Sequence, residues 1–412
     1  VSEWREQVVA NIAASSKNAL VGGPFGSNLV SRDYTPAGIP VIRGQNMGFG
    51  RWVEGEFVYV SEEKAEELSP NTARPGDLVF TQRGTLGQVA IVPPKPFDRY
   101  IVSQSQMKLT VDSSKADAKF LYYFFASNEQ QEYIRQNAIQ TGVPHTNLGH
   151  LRGTPVLLPP LPEQRAIASV LGALDDKIEL NRRMNETLEA LAQTLFKSWF
   201  VDATQSALPK GWRVGTIDEA TSLIIDYRGK TPKKLGRDWS PSGIPAISAK
   251  NIKKGRLVEP QAMNFVDAEL YDLWMKDKLA AGDILMTSEA PLGELLYLAR
   301  NPEFCLSQRV FALRANPTVC LSSFLYFWLT SDGAQELLQS RATGTTVVGI
   351  RQSELRKIQI PLPPLSLQEK AHVLLAPCLE RIAANEEESR TLSALRDALL
   401  PKLLSGEIQI NQ

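Results

Sequence analysis

The sequence predicts an α+β protein in which two similar, mainly-sheet domains are separated by a pair of long helices forming an antiparallel coiled coil. Three observations predict it. One repeat runs through nearly the whole chain, each half is written in short strands broken by turns, and each half closes on a long heptad pattern.

The repeat is plainest at the prolines. Residues 158 to 178 read LPPLPEQRAIASVLGALDDKI, and residues 362 to 382 read LPPLSLQEKAHVLLAPCLERI. A solenoid unit runs to only about 20 to 50 residues, so a repeat half a chain long is a duplicated module. The rest follows in the same order. GIPVIRGQNM at 38 to 47 falls on GIPAISAKNI at 243 to 252, and PGDLVFTQRGTLG at 75 to 87 falls on AGDILMTSEAPLG at 281 to 293. VSQSQ at 102 then meets LSQRV at 306, FLYYFFAS meets FLYFWLTS, and Thr141-Gly142 meets Thr343-Gly344.

Within each half, runs such as GIPVIRG, DLVFTQRG, QVAIVP and QMKLTV lie between Gly, Pro, Asn and Asp, the punctuation of strands and turns. FLYYFFASNEQQEYI and FLYFWLTSDGAQELL each predict one amphipathic helix. Beyond the LPPLP stop, Glu163 to Phe200 carries a seam at Ile167, Leu171, Leu174, Ile178, Asn181, Asn185, Leu188, Ala192, Leu195 and Trp199. The second copy gives Ala371, Leu375, Cys378, Ile382, Asn385, Ser389, Leu392, Arg396, Leu399 and Leu403. Asn181 and Asn385 take equivalent seam positions, and a buried Asn fixes register at a cost in stability. Pro377 is expected to kink or delay the second helix. A helix of nearly forty residues is roughly 57 Å long, so a second helix pairing along it must run back, which gives an internal pseudo-twofold symmetry. Two domains merely packed on a helical hairpin is the plainer alternative.

At 412 residues the chain exceeds one hydrophobic core. Cys305, Cys320 and Cys378 are odd in number and unpatterned, which predicts reduced thiols in a cytoplasmic protein. No bilayer-spanning run or signal peptide is read, so no membrane is expected. Acidic and basic residues balance at 45 each, which argues against indiscriminate nucleic-acid binding. Locally, Arg228, Lys230, Lys233, Lys234, Arg237, Lys250, Lys253, Lys254 and Arg256 gather with Tyr227 and Trp239, either a nucleic-acid patch or a solvated loop surface.

Catalytic motifs are missing. There is no NPPY-like or DPPY-like tetrapeptide and no GxxxxGK[ST] loop, while GGPFGS at 22 to 27 reads as a tight turn. His145 and His150 fit no zinc spacing, so no metal is expected, and Glu62-Glu63-Lys64 reads as a solvated helix face.

Two similar domains with diverged filling suit a partner that has two different half-sites, and duplex DNA is such a partner. The chain resembles the specificity subunit of a Type I restriction-modification system. Residues 158 to 200, from LPPLPEQRAIASVLG to LFKSWF, resemble that family's central conserved region. Residues 362 to 408, from LPPLSLQEK to LLSGEI, resemble its distal conserved region. GWRVGTIDE at 211 resembles the start of a target recognition domain, with Trp4 as its weaker counterpart, and the two GIP segments are similar to ones found in such domains. The resemblance implies a target recognition domain over 1–157, the central region over 158–205, a second recognition domain over 206–361 and the distal region over 362–412. It implies a non-catalytic subunit that reads a bipartite, asymmetric target in double-stranded DNA. Its helices would space the domains and dock two modification (methyltransferase) subunits, joined by restriction (translocase/endonuclease) subunits. S-adenosylmethionine, ATP and Mg are implied for those partners and no cofactor for this chain. A two-domain adaptor that binds proteins rather than DNA is the alternative from another class.

Base edges are read by Arg, Lys, Asn, Gln, Ser, Thr or acidic side chains on projecting loops. In the first half these are Arg43, Gln45, Asn46, Gln82, Arg83, Thr85, Gln104, Gln106, Thr141, His145 and Asn147. In the second they are Ser248, Lys250, Asn251, Ser288, Glu289, Gln308, Arg309, Thr345 and Thr346. Each could instead simply close a turn. Phosphate contacts need charge without exact geometry, which selects Lys230, Lys233, Lys234, Arg237, Lys253 and Lys254.

Overall fold

The computed structural model describes residues 4–48, 50–139, 144–204, 206–344 and 347–410. They form two compact units. Unit 1 comprises residues 1–180 and 388–412, and unit 2 residues 181–387.

Unit 1 has two four-stranded sheets. One is antiparallel, in the order Leu20–Gly22, Gln106–Leu109, Leu78–Thr81, Val89–Ile91. The other is mixed, in the order Val58–Val60, Ile39–Ile42, Tyr100–Val102, Thr72–Ala73. Ile39–Ile42 and Leu78–Thr81 are buried at every residue, which is why they read as near-continuous apolar runs. Gln106–Leu109 is equally buried but alternates polar and apolar residues, its Lys108 pairing with buried Asp77 at 3.4 Å. Arg5–Val8 pairs antiparallel with Pro155–Leu158 and closes the domain at the point where the helix begins.

Unit 2 repeats the plan. Its antiparallel sheet is Thr221–Asp226, Val310–Ala315, Ile284–Thr287, Leu295–Tyr297, and its mixed sheet is Asn264–Val266, Ile244–Ile247, Cys305–Leu306. Arg213–Thr216 pairs with Gln359–Leu362 as the closing ribbon. A small extra ribbon joins Ile252–Lys253 to Arg256–Leu257.

Three expectations about helices are corrected. The amphipathic stretch in each half is two helices, Ala118–Ala126 then Asn128–Gln136, and Ser322–Thr330 then Asp332–Ser340. Ser127 and Ser331 make the breaks, because each caps the second helix by accepting from the backbone N–H of Gln130 or Ala334. The long helix expected over Glu163 to Phe200 spans Leu161–Phe196, taking Pro162 into its first turn, and ends in a wider turn over Lys197–Val201. The second long helix, Leu365–Leu404, runs through Pro377 without a break or delayed start. Pro377 and Val373, whose carbonyl loses its helical donor there, both lie on the exposed side, where water can serve that carbonyl.

Every seam position of both helices is buried or half-buried. In unit 1, Ile167 and Leu171 share one core with Leu399 and Leu403, and in unit 2 Ala192 and Phe196 share one with Ala371 and Leu375. The start of one helix meets the end of the other within unit 1 and the reverse holds within unit 2, so the pair is antiparallel. These cores also take in the sheets and short helices, through Leu78, Phe80, Phe120 and Phe125 in unit 1 and Ile284, Phe324 and Trp328 in unit 2. Phe120 and Phe125 are fully buried, and truncating either to Ala would cost about 3 to 5 kcal/mol. Domain and helix are therefore one folding unit in each half.

Among the described residues no helix is long and apolar enough to cross a membrane, and no group of His, Cys, Asp and Glu is placed to hold a metal. Cys305, Cys320 and Cys378 are buried free thiols, and burial pushes Cys305 and Cys320 up to about 12, away from the reactive thiolate.

Candidate nucleic-acid interface

Strand ends gather the loops. In unit 1, Ile39–Ile42 and Tyr100–Val102 run parallel and finish together, and Leu78–Thr81 ends beside the start of Gln106–Leu109. Backbone hydrogen bonds stitch the following loops: Ser103 N–H donates to Ile42 at 3.0 Å, Gln82 N–H to Ser105 at 2.7 Å, and Thr146 N–H to Gln82 at 3.0 Å. Arg83 and His145 form a further backbone bridge. Arg43, Gln45, Gln82, Arg83, Thr85, Gln104, His145 and Asn147 are thereby brought to one rim. Gln45, Arg83, Thr85 and Gln104 are exposed on it, while Arg43, Gln82, His145 and Asn147 are half-buried. Asn147 also caps the helix Leu148–Gly153, accepting from His150 N–H at 2.9 Å. The GGPFGS turn belongs to the same rim. A Cβ on Gly23 would lie 1.9 Å from the Ser103 carbonyl oxygen, so close passage demands glycine there.

Unit 2 builds the equivalent rim by the same bonds. Ser307 N–H donates to Ile247 at 2.8 Å, Ser288 N–H to Arg309 at 2.8 Å, and Ile350 N–H to Ser288 at 2.9 Å. Ser248, Lys250, Glu289, Gln308 and Arg309 meet on it. Glu289 and Arg309 form an ion pair at 3.0 Å, so the acidic side chain that replaces Arg83 arrives with its own counter-ion.

Four residues chosen from sequence as base readers are corrected, because their side chains are buried within the fold rather than exposed on the rim. Asn46 is fully buried, accepts from Arg43 N–H at 3.1 Å and donates to the carbonyls of Glu54 and Glu56. Asn251 is its counterpart, accepting from Ser248 N–H at 3.2 Å and donating to Val258 and Glu259. Gln106 lies in a strand, fully buried, where the repeat has the core residue Val310, and Ser288 is fully buried at the end of Ile284–Thr287. Thr141, Thr345 and Thr346 lie outside the described residues.

The basic patch is partly self-neutralised. Arg228 pairs with Asp226 at 2.8 Å, and Arg237 with Asp267 at 2.7 Å and Glu269 at 3.2 Å. Lys230 is held over the Tyr227 ring and donates to the Trp274 carbonyl at 3.0 Å, while Lys234 donates to the Gly229 carbonyl at 2.7 Å. Lys250 donates to the Ala262 carbonyl at 3.0 Å. Lys233, Lys253 and Lys254 are exposed and carry no ion pair among the described residues.

Sequence reasoning missed the contacts that hold each rim's domain to the helices. In unit 1, Arg51 is buried, donates to the Gly172 carbonyl at 3.2 Å and pairs with Asp176. Beside it, Tyr123 donates to Asp175 at 2.6 Å, and Asp175 pairs with Arg396 at 2.8 Å, which explains an arginine at a seam position. In unit 2, Arg256 pairs with Glu189 at 3.3 Å and Glu386 at 3.7 Å. The signal was there: RWVEG at 51 and RLVEP at 256 occupy the same place in the repeat. Asn181, Asn185 and Asn385 are buried together in unit 2, with Asn181 donating to the Asn385 carbonyl at 3.3 Å and Asn385 to the Asn185 side chain at 2.8 Å.

Comparison with known proteins agrees with this duplicated plan. The Type I restriction enzyme MjaIX specificity subunit of Methanocaldococcus jannaschii is 24% identical, over 95% of this chain and 92% of that protein. The HindI specificity subunit of Haemophilus influenzae is 23% identical, over 99% and 100% respectively. The crystal structure of a Type I restriction-modification S subunit from M. genitalium shares the fold, with a TM-score of 0.63 at 18% identity, covering 99% of this chain and 96% of that one. A family model described as the Type I restriction modification DNA specificity domain matches twice, at residues 36–190 and 209–392, once in each half. By that double match the chain belongs to the family of Type I restriction-modification specificity subunits.

Proposed function

We propose that the two rims read the two halves of one bipartite, asymmetric sequence in double-stranded DNA. The observation that carries this reading is the pair of rims built by the same backbone bonds and filled by different side chains. Arg83 suits guanine O6 and N7, whereas Glu289 can accept from cytosine N4, so the half-sites differ. The recognition domains are taken as 1–157 and 206–361, with spacer regions at 158–205 and 362–412. An adaptor without DNA is not favoured by membership of a DNA specificity family.

The helices serve as spacer and as docking surface for two modification subunits. Lys177 and Glu388 pair at 2.9 Å on one flank of the seam in unit 1, and one heptad along, Val170 and Leu395 take the same flank and are 37% and 46% exposed. In unit 2, Leu191 and Leu374 occupy the equivalent places, 50% and 46% exposed. The globular parts attach elsewhere on the helices, at Gly172, Asp175 and Asp176 in unit 1 and at Glu189 and Glu386 in unit 2. One open aliphatic patch per unit fits two copies of one partner. The partners supply the chemistry: adenine methylation from S-adenosylmethionine, and ATP- and Mg-dependent translocation and cleavage by restriction subunits. This chain contributes no catalytic step and works in the cytoplasm.

The test is to combine the chain with its modification subunit and S-adenosylmethionine and map adenine methylation across random-sequence duplexes. Methylation at one bipartite asymmetric motif, lost when the chain is omitted, is the expected result. Methylation that ignores the chain would overturn the reading.

A further inference from the structure

We propose that Arg51 and Arg256 are positioning residues for DNA reading. Each couples the reading rim of its own unit to the long helices, and so makes the spacing between half-sites strict. The inference rests on the bipartite reading above and goes beyond it by naming the parts that transmit the spacing.

Each unit holds a continuous path from helix to rim. In unit 1, Arg51 is fixed on the helix Leu161–Phe196 by the Gly172 carbonyl at 3.2 Å and by Asp176, with the Trp52 ring 4.8 Å from its guanidinium. The segment that follows is bound to buried Asn46, whose amide donates to Glu54 at 3.2 Å and Glu56 at 2.9 Å. Asn46 Oδ1 in turn holds the N–H of Arg43, the first residue of the rim loop. In unit 2 the steps recur: Arg256 on Glu189 and Glu386, then Val258 and Glu259 on Asn251, then Asn251 on the N–H of Ser248.

Two features separate this from ordinary packing. The rim side chains diverge between the units, yet the path from helix to rim is kept at every step. The arginine also meets different acceptors in the two units, a carbonyl and Asp176 in one and two glutamates in the other. What recurs is the coupling rather than one copied contact. An Arg fork held at two points resists rotation in a way that an apolar contact does not.

The test uses the full complex with its modification subunit, comparing wild type with Arg51→Met and Arg256→Met, which keep the length of the stem, and Arg51→Lys as the conservative variant. Methylation is mapped on duplexes that carry both half-sites with the spacer lengthened or shortened by one base pair, and thermal melting is followed in parallel. Both Met variants should keep the half-site sequences but lose about tenfold of their discrimination between spacers, with Arg51→Lys in between. Wild-type spacer discrimination in the Met variants would overturn the proposal. So would loss of half-site and spacer discrimination together, restored by neither Lys nor lower temperature, since that is what a purely structural role gives. A wild-type complex that shows no bipartite motif would remove the underlying reading itself, an outcome distinct from both.

Discussion

Arg83 and Glu289 stand at the same place in the repeat, bridge equivalent backbone positions and carry opposite charge. Arg83→Ala should therefore relax one base of one half-site, by about 1 to 3 kcal/mol of discrimination, and leave the other half-site untouched in a methylation map. Changes in both half-sites would show that the rims are not independent readers. The exposed lysines make a different prediction. Lys233→Ala with Lys234→Ala should weaken binding to all sequences alike and reduce the slope of log affinity against log salt by about 0.9 for each phosphate no longer neutralised. An unchanged slope would remove them from the DNA interface. Arg237 is a poorer choice for that role than its charge implies, because Asp267 and Glu269 already engage it. Residue type and loop position are legible in the sequence, but not whether a polar side chain points out or in. Asn46, Gln106, Asn251 and Ser288 depart from expectation for that reason. The repeat holds the remedy for Gln106, since Val310 in its place marks a core position.

The long helices are the most legible elements, since a seam that steps by four and three needs no other partner to be read. Their ends and interruptions are less so: Pro377 is tolerated because the backbone group it orphans faces water, which periodicity alone does not reveal. The shorter helices differ from expectation for the opposite reason, a single serine cap outweighing an unbroken helical pattern. The polar layer makes the element-scale prediction. Asn385→Ala removes the donor to the Asn185 side chain in a fully buried place and should cost about 1 to 3 kcal/mol, read as a lowered denaturation midpoint. Replacing Asn181, Asn185 and Asn385 together by Leu should instead match or exceed wild-type stability, because an apolar layer leaves no polar group unpaired. Its penalty should appear as register: cysteine pairs placed one heptad out of step should cross-link in the triple variant and not in wild type. A triple variant as unstable as Asn385→Ala would mean the layer serves stability rather than alignment.

At the scale of the molecule, the duplicated plan is readable from the repeat, but the sharing of each core between sheet domain and helix is not. LPPLP and LPPLS look like domain boundaries because proline halts the helix, yet Ile167 and Leu171 pack with Phe120 and Leu78 across that boundary. A proline hinge in the sequence is thus a corner inside a compact unit, and the long helix begins inside the core of the domain it follows. Removing one heptad from each helix therefore has to be done between the parts that the globular cores grip, for example residues 178 to 184 with 387 to 393, which spares Glu189 and Glu386 on one side and Asp176 and Arg396 on the other. Seven residues are about 10.5 Å of helix, which is about three base pairs at 3.4 Å each. Such a deletion should leave both half-sites unchanged and move the preferred spacer to a shorter length in a methylation map. Deleting the heptad from only one helix should abolish methylation rather than shift it, since one helix would then lose its seam against the other. If the double deletion kept the original spacer, the helices would be docking surface alone, and the separation of the half-sites would have to be set by the partner subunits.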